Sequence, residues 1–514
     1  MSDTAVFDAA LDGEWGADQI ASTSPEDARR RMIEEELGIS EKDVLARVNN
    51  GFMKSKKNRL AREITWWLCC AFYLGDHYAE INKDSTAVLT GLETKKDVPD
   101  FRVRARNNKI TPAADELVGR MVRSMVSLTA TPATDDPSDI DRAQAATSVL
   151  ESEWRRMGLT QSDHELRLWT VLTGSAGLWV RWNDTLGELM GLQDGSFMPS
   201  GEIEHQVVPP FHLYPDPQGT RYHNMRYMIH ACEADVDMLK SAYPDLAEKI
   251  GPDSLRRGSG KYWEDRLKSL MSSSLGVRYE IGYGQYTCTL LTYWEPRSRE
   301  HPNGIMAICT PTAVLWMGEN PWAHFNGGFD WCPIEMFRYR ELGISFWGMG
   351  AVEIAIPLQR ELNRTLSQIL ENRNECSNPR YWIPKGCRVS TAGWTNAPGE
   401  RVIYTPTPVE LSANGRAYKP EREDPPPIPS ALFKLIADLK AEIEDVFAYH
   451  QVSKGGAPPG VRSGVAIENL QETDQAPAVP IVQRHNVCWA RVGKRLLQLA
   501  HDHWDFQRMI NVGG

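Results

Sequence analysis

The chain has no apolar run near the ~20 residues that a helix needs to cross a bilayer. Its best stretch, ITWWLCCAFYL at 64–74, falls far short, and the mean hydropathy is −0.43. A secretory signal is missing too: MSDTAVFDAALDGEWG is acidic where a signal would be basic and then apolar. These absences argue against an exported or membrane protein. No C-x-x-C pair occurs among the cysteines at 69, 70, 232, 288, 309, 332, 376, 387 and 488. That removes ordinary zinc spacing and points to reduced, mostly buried thiols in a cytosolic setting. An excess of cations is also absent, since 57 Lys+Arg face 68 Asp+Glu for a net charge of −11. Duplex affinity comes mainly from neutralised phosphates. The balance therefore argues against gripping nucleic acid over the whole surface, and not against letting it slide past.

What is present is the make-up of a globular chain, 41% hydrophobic and 24% charged over 514 residues. That length suggests roughly two to four domains. Seventeen tryptophans are many for this size; they suit extensive subunit contacts, and core packing would also explain them.

Residues 1–50 read as a flexible acidic arm, with Asp3, Asp8, Asp12, Glu14 and Asp18 ahead of any basic residue. A helix is expected over 58–78, where Leu60, Ile64, Trp67, Ala71, Leu74 and Tyr78 form one stripe. Lys54, Lys56, Lys57, Arg59 and Arg62 crowd its start, either as a solvated face or as a contact for phosphate or an acidic partner. Further helices are expected at 111–128, 140–157, 163–173, 233–250 and 262–273, with a strand at 178–182. Between 278 and 339, Val, Ile, Thr, Tyr and Trp alternate with Gly, Pro and Asn turns, which reads as a β-rich insertion. A long helix over 349–374 follows, its stripe formed by Ala355, Leu358, Leu362, Leu366 and Ile369 and its polar back by Arg360, Arg364 and Glu371. Its length is roughly 39 Å at 1.5 Å per residue. Ser430 is expected to cap a second long helix with Leu432, Leu435, Ile436, Leu439, Ile443, Val446 and Phe447 at core spacing. A final helix carries Trp489, Val492, Leu496, Leu499 and His503 on one face. The fold class expected is α+β, predominantly α-helical.

Motifs of chemistry fail one by one. GSGK at 258–261 lacks the first glycine of a phosphate loop, and Tyr262 stands where a hydroxyl would meet magnesium. His501, Asp502, His503 and Asp505 cluster without H-E-x-x-H, and a surface cluster is the better account. No G-x-S-x-G elbow occurs. No catalytic, cofactor-binding or metal residue is therefore expected, and no enzyme.

What accumulates is long helices, a β-rich insertion and two mobile connectors, the make-up of an assembly component. Four segments carry a resemblance. RNNKITPAADELVGRMVRSMVSLTATP at 106–132 resembles the early helix of tailed-bacteriophage portal proteins. GSAGLWVRW and VVPPFHLYPDP resemble segments that follow it in the short-tailed, podovirus-type branch. PIEMFRYRELGISFWGMGAVEIAIPLQRELNRTLSQ at 333–368 resembles the strand that leads through glycines to a long Q-x-x-x-N helix. SGVAIENLQE at 463–472 resembles the turn opening the C-terminal helices.

The resemblance implies a viral portal fold of wing, stem, clip and crown. By that analogy 51–258 is wing, 259–348 the β-rich clip and stem-proximal region, and 349–378 the stem helix. Residues 379–462 are then a channel-loop section and second long helix, and 463–514 the crown. It also implies a homo-oligomeric ring, usually a dodecamer, at the capsid portal vertex of the virion, assembled in the host cytoplasm. Double-stranded DNA would pass through it during genome packaging and ejection. Implied partners are the terminase large subunit, head–tail adaptor or tail proteins, and the major capsid and scaffold proteins. Arg380, Lys385, Arg388 and Arg401 are the channel-facing candidates, and Leu358, Leu362, Leu366 and Ile369 the candidates for stem-helix contact between subunits. A head-completion adaptor is the rival from the binding class, against which the length counts. A packaging motor or nuclease would need a Walker A motif and a carboxylate cluster, and neither is present.

Overall fold

The computed structural model describes residues 30–81 (31 and 36 apart), 88–90, 102–123, 126–191, 197–252, 287–328, 330–377, 427–448 and 477–504. Short pieces at 381–383, 388–389, 403–405 and 420–422 and two single residues complete it. The expected helix 262–273, the GSGK segment and the turn at 463–472 lie outside the described residues.

The first long helix, α1 (Glu41–Tyr73), starts well ahead of the expected 58. Ser40 caps it, its hydroxyl accepting from the Asp43 amide at 3.2 Å. Its apolar stripe changes partner midway. Val44, Val48 and Phe52 pack on a β-sheet face, whereas Trp66 to Phe72 enter the main core. Leu60, expected in the stripe, is exposed. The basic cluster therefore sits mid-helix, and two of its members are structural. Arg59 is buried with its guanidinium donating to the carbonyls of Pro210, Phe211 and Leu213 at 3.2, 2.8 and 2.7 Å. Arg62 pairs with Glu353 at 3.1 Å and donates to Gly348 O at 2.9 Å.

A small hairpin of β1 (Glu80–Ile81) and β2 (Val88–Leu89) comes next. Then follow α2 (Ile110–Arg123), α3 (Pro137–Arg156) and α4 (Leu159–Thr173). Asp136 caps α3, with Pro137 in its first turn, so that helix begins before the expected 140.

The sheets are assembled from β3 (Ser175–Asn183), β4 (Leu189–Gly191), β5 (Phe197–Pro199), β6 (Glu202–Val208), β7 (Leu213–Pro215) and β8 (Met228–Asp235). After α5 (Val236–Ala242) come β9 (Thr287–Glu295), β10 (Ile305–Cys309), β11 (Val314–Gly318) and β12 (Ile334–Arg338). One antiparallel sheet has the order β11-β10-β9-β8-β7 and another β12-β3-β6, while β4 and β5 form a hairpin. The β-rich segment is thus no insertion of its own. Its strands complete sheets begun by β8 and β3. The expected helix at 233–250 hid this: Glu233 belongs to β8, and Asp235 then caps only the short α5. Strand β3 is buried on both faces, with Ala176, Leu178 and Val180 in one cluster and Trp179 in another. That accounts for its unbroken apolar run.

Two loops interlock where α4 meets β3. Gly174 ends α4 with φ +89°, and a Cβ there would lie 2.3 Å from Gly348 O and 2.8 Å from Gly350 N. The Gly348 amide donates to the Ser175 hydroxyl at 2.8 Å, and the Tyr339 amide to Gly174 O at 3.1 Å. Only glycine permits so close a crossing. Beyond it runs α6 (Ala351–Ser377), 27 residues with Pro357 inside. The short strands β13 (Tyr381–Trp382), β14 (Arg388–Val389), β15 (Tyr404–Thr405) and β16 (Glu421–Arg422) pair as β13 with β16 and β14 with β15.

Helix α7 (Ser430–Val446) is preceded by Pro429 in the cap position, so Ser430 is its first residue and not its cap. Ile436, Leu439, Ile443 and Phe447 join the main core, whereas Leu435 is exposed. Arg120 closes the far end of α7, donating to the carbonyls of Phe447 and Ala448 at 2.6 and 2.7 Å. Helix α8 (Val479–His503) lies against β3, β6 and β12 through Trp489, Val492, Leu496 and Leu499. The helix expected in a crown is therefore bound into the body of the subunit. No described helix is long and apolar enough to cross a membrane.

Candidate functional site

Helix α6 carries a row of polar side chains four residues apart: Gln359, Asn363, Ser367 and Glu371. The chain at 102–109 runs antiparallel beside them. The amides of Val103, Ala105, Asn107 and Lys109 donate in turn to Glu371, Ser367, Asn363 and Gln359, at 3.1, 3.0, 3.1 and 3.0 Å. Every second amide of an extended chain points the same way, at about 6.6 Å intervals. Four residues of helix climb about 6.0 Å. The two periods nearly coincide, so helix side chains replace a neighbouring strand as the acceptors of this backbone.

The middle rungs are doubled. Gln359 Nε2 donates to Asn107 O at 2.8 Å and to Asn363 Oδ1 at 3.1 Å. Asn363 Nδ2 meets His77 Nδ1 at 2.9 Å, and His77 Nε2 lies 3.1 Å from Phe72 O. A carbonyl can only accept, so the proton sits on Nε2 and Nδ1 accepts from Asn363. That chain of bonds needs a neutral imidazole. The outer rung is charged, with Arg102 pairing Glu371 at 3.1 Å. Beyond the ladder, Asn108 accepts from the Ile110 and Thr111 amides at 3.0 and 3.1 Å, starting α2.

Burial pulls the His77 pKa down to about 4. Burial likewise lowers His212 to about 4, aided by Arg59, and His230 and His485 to about 3, aided by His212 and Arg167 respectively. All four folded values lie below the ordinary 6.5. The unfolded chain therefore takes up protons first as pH falls, and stability present above pH 6.5 is lost towards pH 4 and 3. The thermal midpoint is expected to fall steadily from pH 7 to pH 5; calorimetry giving a flat profile would contradict this.

A second polar core fastens α8 to β12. Glu335 is buried, accepting from Arg491 at 3.0 Å and pairing with Arg495, itself fully buried, at 3.3 Å. Asp163 accepts from Trp489 Nε1 at 2.9 Å and pairs with Arg167 at 2.8 Å. Charges this enclosed are retained only where partners are fixed.

The stripe expected to meet a neighbouring subunit is turned into this subunit's own core. Leu362 is 0% exposed, and Leu358, Leu366 and Ile369 are half-buried against the same cluster. The polar back of α6 divides as well. Glu371 belongs to the ladder, Arg360 reaches Ala79 O at 3.3 Å, and Arg364 is exposed. Of the channel candidates, Arg380, Lys385 and Arg401 lie outside the described residues. Arg388 is in β14, paired with Thr405, and only its backbone is described. The ladder residues were missed as a set, although four polar side chains at a spacing of four beside a leucine stripe are a readable signal.

Among the described residues no group of three or more His, Cys, Asp and Glu is placed to hold a metal. Of the described cysteines, all free, Cys69, Cys70, Cys288, Cys309 and Cys332 are buried. Burial pushes the Cys70, Cys309 and Cys332 thiols up to about 12, so none of these three is poised as a nucleophile. Hydrogen bonds here tie helix side chains to the backbone of a neighbouring segment. Residues 85–514 match a family model described as Phage P22-like portal protein. No curated protein matches the chain.

Proposed function

The chain belongs to the phage P22-like portal protein family, and from that premise we propose that its copies close into a ring at one vertex of the capsid. A closed ring of about a dozen copies would follow from head-to-tail contacts that complete a rotation. Double-stranded DNA enters through the ring during packaging and leaves through it on ejection. The ring docks the terminase large subunit, then adaptor or tail proteins, and sits among capsid and scaffold proteins in the virion after assembly in the host cytoplasm. The observation that carries this reading is the family match over 85–514. A net charge of −11 per copy would keep a passing duplex from sticking.

Leu362 is enclosed, while Leu358, Leu366 and Ile369 are half-buried and remain available for contact between copies, together with apolar side chains left outside. Phe433 on α7, Trp382, Ile383 and Ile403 are among the exposed apolar side chains in the second half of the chain. Arg380, Lys385, Arg388 and Arg401 are assigned to the channel.

Electron microscopy of the purified protein tests the ring. Views down the axis should show about a dozen subunits, with no ATP hydrolysis by the protein alone; monomers or dimers at high concentration would sink the reading. Alanine at the four basic positions should reduce DNA packaged or retained while rings still form. Loss of the rings themselves would remove those residues from the channel.

A further inference from the structure

Helix α6 has three faces. Gln359, Asn363, Ser367 and Glu371 meet the strip at 102–109, and Leu358, Leu362, Leu366 and Ile369 meet the main core, where α7 packs. With 3.6 residues per turn, Pro357, Arg360, Glu361, Arg364 and Gln368 fall on the remaining side, and all of them are exposed. That side is basic. Glu361 is its one carboxylate, 3.9 Å from Arg364, whose side chain is 71% exposed. The neighbouring strip adds Arg102 and Arg106, both exposed.

Helix α7 shows the opposite sign. Ile436, Leu439 and Ile443 form its buried side. Asp438, Glu442 and Asp445, at i, i+4 and i+7, share the outer side and are exposed, with Lys434 one turn ahead of them. Each charged face lies roughly 140° around its helix from the side that joins the two helices. The pair therefore turns a basic face one way and an acidic face the other.

Opposite signs on opposite sides suit a head-to-tail contact between identical chains, in which each copy offers one face to the neighbour before it and the other to the neighbour after it. The spacing agrees as well. Arg360 to Arg364 and Asp438 to Glu442 each climb four residues, about 6.0 Å, so two such helices side by side can pair both rungs together. Copies that each carry −11 repel at long range, and a local reversal of sign opposes that repulsion.

We propose that the Arg360 and Arg364 face of α6 docks on the Asp438, Glu442 and Asp445 face of α7 in a second copy of this chain. This deepens the ring reading and rests on it.

Charge exchange in the full chain tests it. R360E/R364E makes the α6 face acidic like that of α7, and D438K/E442K makes the α7 face basic like that of α6. Each variant alone should stay monomeric in sedimentation at concentrations where the unaltered protein associates. Mixed in equal amounts, the two should associate again, and a chain carrying all these changes should associate by itself. R364E alone keeps the Arg360 bond to Ala79 O. It should weaken association severalfold with an unchanged thermal midpoint, which separates loss of the contact from loss of fold. Folded variants that associate as before would overturn the docking and leave the ring standing. Folded variants that lose association but are not restored by mixing would overturn it too. An unaltered chain that stays monomeric would overturn both readings.

Discussion

Gly174→Ala is expected to leave little folded protein. The position has φ +89°, which costs an alanine about 1 kcal/mol. The greater penalty is contact, because the added Cβ would stand 2.3 Å from Gly348 O. Neither side can retreat easily. The Gly348 amide is bonded to Ser175, Arg62 donates to the Gly348 carbonyl, and Tyr339 donates to Gly174 O. Overpacking against fixed backbone adds a further ~1–3 kcal/mol or more, a large share of a marginal total of about 5–15 kcal/mol. Gly158→Ala is the control. It also has positive φ, +64°, but a Cβ there meets nothing within 4 Å, so about 1 kcal/mol is expected. Urea unfolding of both variants checks the contrast, and equal losses would show that the crossing is not tight.

Gln359→Leu and Asn363→Leu should each cost about 2–4 kcal/mol, because each strands several buried partners at once. Without Gln359 the Lys109 amide and the Asn107 carbonyl lose their bonds. Without Asn363 the Asn107 amide, His77 Nδ1 and Gln359 Nε2 do. The double variant should cost clearly less than the two together, since the residues bond one another and share Asn107. Denaturation of the four proteins of the cycle measures it. Strict additivity would mean that the rungs act independently.

Local signals carried much of this architecture. Most of the stripes of the long helices and the strand core at 178–182 could be read from spacing. The resemblance of four segments to portal proteins agrees with the family match over 85–514. What spacing did not give was pairing across distance. β8 and β9 are separated by half a hundred residues, and a helical reading of 233–250 concealed the first of them. Arg59 looked like a surface charge because its partners are three backbone carbonyls about 150 residues away. Gln359 and Asn363 were visible as letters of a motif, while their use depended on a segment 250 residues earlier.

The ladder along α6 has a consequence for how long it can be. Its two scales differ by about 0.6 Å per rung, so over three intervals they drift by about 2 Å. Flexible side chains at the ends, Gln359 and Glu371, can absorb that slippage. A few more rungs could not. The arrangement behaves as a vernier, a pair of rulers that agree over one short stretch, and it fixes the register of 102–109 against the helix. Deleting one residue there would turn carbonyls to face acceptors on the rungs to one side of the deletion. Insertions should therefore be refused within the strip.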